Sequence, residues 1–98
     1  MKPQLKKNLD IIQKHRDILL KRHHVRRIGI FGSVARGDAT DKSDIDLLVD
    51  FDESISLFDL VDLEDYLQKL LRRNVDVVPR GALKPLLRKN ILRDVRYV

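Results

Sequence analysis

Cysteine is absent from the chain, which excludes disulfide scaffolds, thiolate zinc sites and thiol nucleophiles and leaves oxygen or imidazole as the available metal donors. Tryptophan is also missing and the aromatic share is only 5%, so the basic runs Lys21 to Arg27, Arg72-Arg73 and Arg88-Lys89 lack the stacking surface that nucleic acid needs, and direct nucleic-acid binding is not expected. No apolar run approaches the roughly 20 residues of a membrane-spanning helix, and the opening MKPQLKKNLD lacks the apolar stretch of a secretory signal. A soluble, cytoplasmic protein without membrane contact is the expectation. Neither sign of charge is scarce: 20 Lys and Arg face 15 Asp and Glu, a formal +5, which is not the pattern of a simple polycation. The 98 residues suffice for one modest core, and no tract of linker composition divides them, so residues 1–98 read as a single domain.

From Pro3 to about Arg22, Leu5, Leu9, Ile12 and Leu19 recur at helical spacing, with Ile11, Ile18 and Leu20 widening the stripe; this predicts one amphipathic helix. Val25 to Phe31 is rich in branched apolar residues and stops at Gly32, as a short strand would. The stretch Gly32 to Ser43 reads as a functional loop with room for a helical turn around Val34 to Arg36. In Asp44 to Phe51, Ile45, Leu47, Val49 and Phe51 alternate with Asp44, Asp46, Leu48 and Asp50, the pattern of a strand with one apolar face. Asp44 and Asp46 then project the same way, about two residue rises or roughly 6–7 Å apart. Ser56 and Asp59 form a capping box ahead of a helix striped by Leu60, Leu63, Leu67 and Leu71. Val75 to Val78 predicts a third strand, with Asp76 facing away from Val75 and Val77. A last helix starts at Lys84 or Pro85, keeps Leu86, Leu87, Ile91 and Leu92 apolar, and gives way to a VRYV tail that suits either more helix or an edge strand.

Three aspartates thus stand on strand positions, and Gly32-Ser33 follows directly on a strand end, where glycine lets main-chain N–H groups approach an anion. Carboxylates alone would repel a polyphosphate, so cradle and acids make joint sense if a divalent cation bridges them.

Gly32-Ser33, ten residues, then Asp44-x-Asp46, with a third acid at Asp76, resembles the nucleotidyltransferase signature of the DNA polymerase β superfamily. More closely, GSVARGDATDKSDIDLLVDF followed by a helix and VDVV is similar to the minimal nucleotidyltransferases, the MNT proteins encoded beside HEPN-domain toxins, over essentially the whole chain. The resemblance implies the nucleotidyltransferase fold, an α/β (α+β) domain with a mixed three- to four-stranded sheet and helices mainly on one face. It further implies that Gly32 and Ser33 hold the triphosphate of ATP, while Asp44 and Asp46 coordinate two Mg²⁺ ions. Asp76 matches the third acid, which binds the metal at the acceptor hydroxyl and helps deprotonate it. AMP would pass to a hydroxyl, that of a tyrosine, on a cognate HEPN ribonuclease toxin in a hetero-oligomer, silencing it and releasing pyrophosphate. Two alternatives stand beside it: neutralisation of the partner by contact without essential catalysis, and modification of a small molecule between the subunits of a homodimer.

Other residues carry weaker signals. Arg36 suits a phosphate contact or a pair with Asp38 or Asp41, and it joins Gly32 and Ser33 as a nucleotide-binding candidate. Ser43 suits a turn and Asp50 the surface. His15, His23 and His24 sit among Lys and Arg, which disfavours a metal and suits a solvated helix end.

Overall fold

The computed structural model describes residues 2–98. Pro3 occupies the first turn of helix α1 (Pro3–Lys14), where a missing N–H costs nothing. The one helix expected from Pro3 to about Arg22 is in fact two, because α2 (Arg16–His23) is separated from α1 by His15 at φ −112°, ψ 18°. The His15 backbone N–H donates to the Ile12 carbonyl at 3.0 Å, three residues back instead of four, and its ring Nδ1 lies 2.8 Å from the Ile11 carbonyl. The apolar stripe survives the interruption, since Leu5, Ile12 and Leu19 are all buried. Ile18 and Leu20 do not widen it: they stand 45% and 46% exposed, each turned about 100° away from Leu19 by the helical pitch.

Strand β1 (Val25–Phe31) leads without a linker into the short helix α3 (Gly32–Arg36). Strand β2 (Ile45–Phe51) runs antiparallel to β1, and helix α4 (Leu57–Leu71) then returns the chain so that β3 (Val75–Pro79) lies parallel to β2. The expected capping box is present: Asp59 N–H donates to Ser56 Oγ at 3.1 Å and Ser56 N–H to Asp59 Oδ2 at 2.9 Å. α4 ends at Leu71, with Arg72 in the left-handed region as its C-cap. After a single 3₁₀ turn (Arg80–Ala82), helix α5 (Pro85–Asp94) leads to β4 (Arg96–Tyr97). The tail is therefore an edge strand, pairing Gly29 with Tyr97 and Ile30 with Arg96, and the Arg27 guanidinium stacks 3.5 Å above the Tyr97 ring.

The sheet is four-stranded and mixed, in the order β3-β2-β1-β4. Its main face carries Ile28, Ile30, Ile45, Leu47, Val49, Val75 and Val77, packed under Leu5, Ile12, Leu19, Leu63, Leu67 and Leu71 of α1, α2 and α4. Helices thus lie mainly on one face. The opposite face has a smaller apolar cluster, Phe31, Leu48 and Val95, against which Ile91 and Leu92 of α5 pack. α5 buries no residue fully, and Leu86 and Leu87, expected in its apolar stripe, point to solvent.

Candidate active site

Strand alternation gives the site its geometry. Leu47 and Val49 point into the main core, so Asp46 must point to the other face, and the parallel register sets it directly beside Asp76 while Val77 pairs with Leu47. Asp44 precedes the first residue of β2, and the Ile45 N–H to Asn74 carbonyl bond at 3.0 Å marks where pairing with the β3 side begins. On the other flank Phe31, the last residue of β1, is the register partner of Asp46, so α3 begins beside that carboxylate.

Gly32 makes the approach possible. It adopts φ +72°, and a Cβ there would overlap Asp46 Oδ2 and lie 3.1 Å from its Cγ, so a side chain at this position would displace the carboxylate. Gly37, at φ +87°, closes α3 by donating its N–H to the Ser33 carbonyl at 2.9 Å, which Asp38 N–H also reaches at 3.0 Å. The chain is thereby tightly turned at both ends of α3, and the first N–H groups of a helix have no partner within it.

The electrostatics agree with a cation-binding face. Burial pushes the Asp46 carboxyl above the usual carboxylate range, and the neighbouring charges of Asp76 and then Asp44 push the same way, with Arg36 opposing. Asp46 and Asp76, with Asp44 beside them, offer hard oxygen donors of the kind a divalent cation takes.

Arg36 pairs with Asp38, as expected of one alternative, at 3.4 Å, and its Nη1 also lies 3.4 Å from Asp94 Oδ2 at the end of α5; Asp41 is not a partner. Ser43 orients the turn, its Oγ accepting the Thr40 N–H at 2.9 Å. Asp50 forms a surface pair with Arg26 at 2.8 Å. Two open hollows take in outlying residues only, one of about 600 Å³ lined by Asp44, Gln68 and Arg73 and one of about 700 Å³ lined by Leu5, Arg36 and Asp94; Gly32, Ser33, Asp46 and Asp76 line neither.

The histidines depart from expectation. His23 is not a solvated helix end: its ring lies 5.0 Å from that of Tyr66, its Nε2 is buried without a partner, and burial holds its pKa below the ordinary value. His24 meets carboxylates, with Nδ1 3.2 Å from Glu53 and 3.6 Å from Asp52. Among the described residues these are the three potential ligands whose donor atoms gather within 4.8 Å; Asp44, Asp46 and Asp76 stand further apart as a trio. The His24 group lies where β2 leaves the sheet, at the end away from Asp44. Sequence spacing had no signal for it, because its members come together only through the pairing of β1 with β2.

A family model described as nucleotidyltransferase domain matches residues 12–98. Protein adenylyltransferase MntA of Thermococcus cleftensis is 47% identical over 88 residues, covering 90% of this chain and 89% of the relative. A solved structure provisionally described as a minimal nucleotidyltransferase superposes with a TM-score of 0.73 at 41% identity, covering 90% of this chain and 93% of the other. A chain from a Shewanella oneidensis complex, described as tri-AMPylated HEPN toxin with MNT antitoxin, shares the fold at a TM-score of 0.67 and 21% identity, over 95% of this chain and 70% of that one.

Proposed function

The chain belongs to the nucleotidyltransferase domain family, and on that premise we propose that it is an antitoxin-type protein adenylyltransferase. It moves AMP from ATP to a hydroxyl, that of a tyrosine, on a HEPN-domain toxin protein with which it forms a hetero-oligomer, and so silences the toxin. The observation that carries this reading is the register pair Asp46 and Asp76 with Gly32 closed down on Asp46, which sets a backbone anion cradle against a carboxylate face. The MntA relative is named for this activity, and the Shewanella oneidensis complex pairs an AMPylated HEPN toxin with an MNT antitoxin.

In this reading Gly32 and Ser33 bind the triphosphate through the start of α3, and Arg36 adds a cation at its far end. Asp44, Asp46 and Asp76 would hold two Mg²⁺ ions. Bound there, such ions supply charge neutralisation at the phosphates and polarise the attacking oxygen. Asp76 receives the proton of the acceptor hydroxyl as that oxygen forms its bond to the α-phosphorus. The bond from the α-phosphorus to its bridging oxygen breaks, and pyrophosphate leaves with the electron pair.

ATP labelled at the α-phosphate tests the reaction. Label from the α-position should enter the partner protein while label from the γ-position should not; incorporation of γ-label would identify a kinase and overturn the reading. Neutralisation by contact is the second reading, favoured by the exposed apolar residues Leu57, Phe58 and Val61 on α4, Phe58 being 81% exposed. It predicts that the Asp44→Asn variant still silences the partner.

A further inference from the structure

We propose that Arg73 is a positioning residue for the carboxylate site, locking the segment that presents Asp44 onto the strand start that presents Asp76. The proposal rests on the reading of Asp44, Asp46 and Asp76 as metal-holding acids. Asp44 is exposed and lies outside the β2 ladder, so strand pairing does not fix it as it fixes Asp46. The chain from Asp38 to Asp44 has no regular structure of its own; its internal order comes from the Thr40–Ser43 turn, in which Ser43 N–H donates to the Thr40 carbonyl at 3.1 Å. One side chain joins that turn to the α4–β3 connection. Arg73 Nη2 donates to the Thr40 carbonyl at 3.1 Å and to the Ser43 carbonyl, bonds that span 33 and 30 residues of sequence.

Both bonds leave one nitrogen, Nη2, so a single amino group of the guanidinium serves the two carbonyls; a lysine ammonium also carries several donors but on a flexible stem, which is why a lysine should hold the turn only in part. Arg73 is half-buried and forms no ion pair among the described residues, so its hydrogen bonds go to this turn and not to a surface carboxylate. Its neighbour Asn74 accepts the Ile45 N–H, and Asp76 follows two residues later. A single connection therefore sets both Asp44 and Asp76 relative to Asp46.

Mn²⁺ binding followed by electron paramagnetic resonance, with amide hydrogen exchange over residues 38–44, separates positioning from general stability. Arg73→Ala should weaken Mn²⁺ binding about 10–100-fold, the usual effect of losing an outer-shell support. It should also speed exchange in residues 38–44 while the amides of β1 and β2 stay protected. Arg73→Lys should recover part of both effects, and it serves as the test variant if the alanine form does not fold. Wild-type Mn²⁺ affinity together with unchanged exchange in the variant would overturn the proposal. Asp44→Asn is the control on the underlying reading: if it binds Mn²⁺ like the wild type, the carboxylate site itself is wrong, and Arg73 is then judged by exchange of residues 38–44 alone.

Discussion

Asp46 carries opposed demands. Its carboxyl is raised above the ordinary range by burial and by Asp76 and Asp44, so the folded chain holds that proton more tightly than the unfolded chain does. The associated stability is complete below the unfolded-state pKa and is lost as pH rises through the folded-state value. At neutral pH the ionised group therefore costs stability. Asp46→Asn should melt at or above the wild-type temperature at pH 7, with the difference shrinking as pH falls through the carboxylate range, and it should transfer no AMP. Thermal melts across pH check the first statement; a lower melting temperature at pH 7 would contradict it. Gly32 sits under the same constraint from the other side. Gly32→Ala should lose about 1–2 kcal/mol for the left-handed backbone, read by urea unfolding, and should also lose nucleotidyl transfer because the new methyl group overlaps Asp46 Oδ2 and displaces the carboxylate. Arg73 and Asp94 show the limit of sequence at this scale. Their roles arise from contacts 30 and 58 residues away, to which no local pattern points.

Elements were legible where the chain repeats a strict period or spells a cap. β2 keeps every second residue apolar from Ile45 to Phe51, which located both the core face and, Leu48 apart, the aspartates on the other, and the Ser56–Asp59 box marked the start of α4 to the residue. Replacing Ser56 by Ala should cost about 1 kcal/mol by chemical denaturation, since the Asp59 N–H loses its acceptor. Transfer should be unchanged, because α4 begins at the end of the sheet away from Asp44. The break at His15 was not legible: Leu5, Ile12 and Leu19 keep their burial across it, so the apolar pattern reads as continuous while the backbone is not. β4 was ambiguous because two residues have no period. α5 misled for another reason: it packs with a narrow stripe over a small cluster, and only Ile91 and Leu92 of its apolar residues reach that cluster.

At the scale of the whole molecule, the two sides of the sheet divide the work. The main face is filled by three helices and supplies the core; on the other face Asp46 and Asp76 stand beside the start of α3 at Gly32. No described helix is long and apolar enough to cross a membrane, and the apolar groups left exposed on α4 and α5 lie at the end of the sheet away from the aspartates. The match to the family runs over residues 12–98 and so takes in Gly32, Ser33, Asp44, Asp46 and Asp76. The most direct test of the proposed function is the intact mass of the proposed HEPN-domain partner after incubation with the protein, ATP and Mg²⁺. A gain of one or more AMP units that vanishes with Asp44→Asn is the expected result; an unmodified partner held in a stable, silenced complex by both forms would rule out adenylylation as the means of silencing.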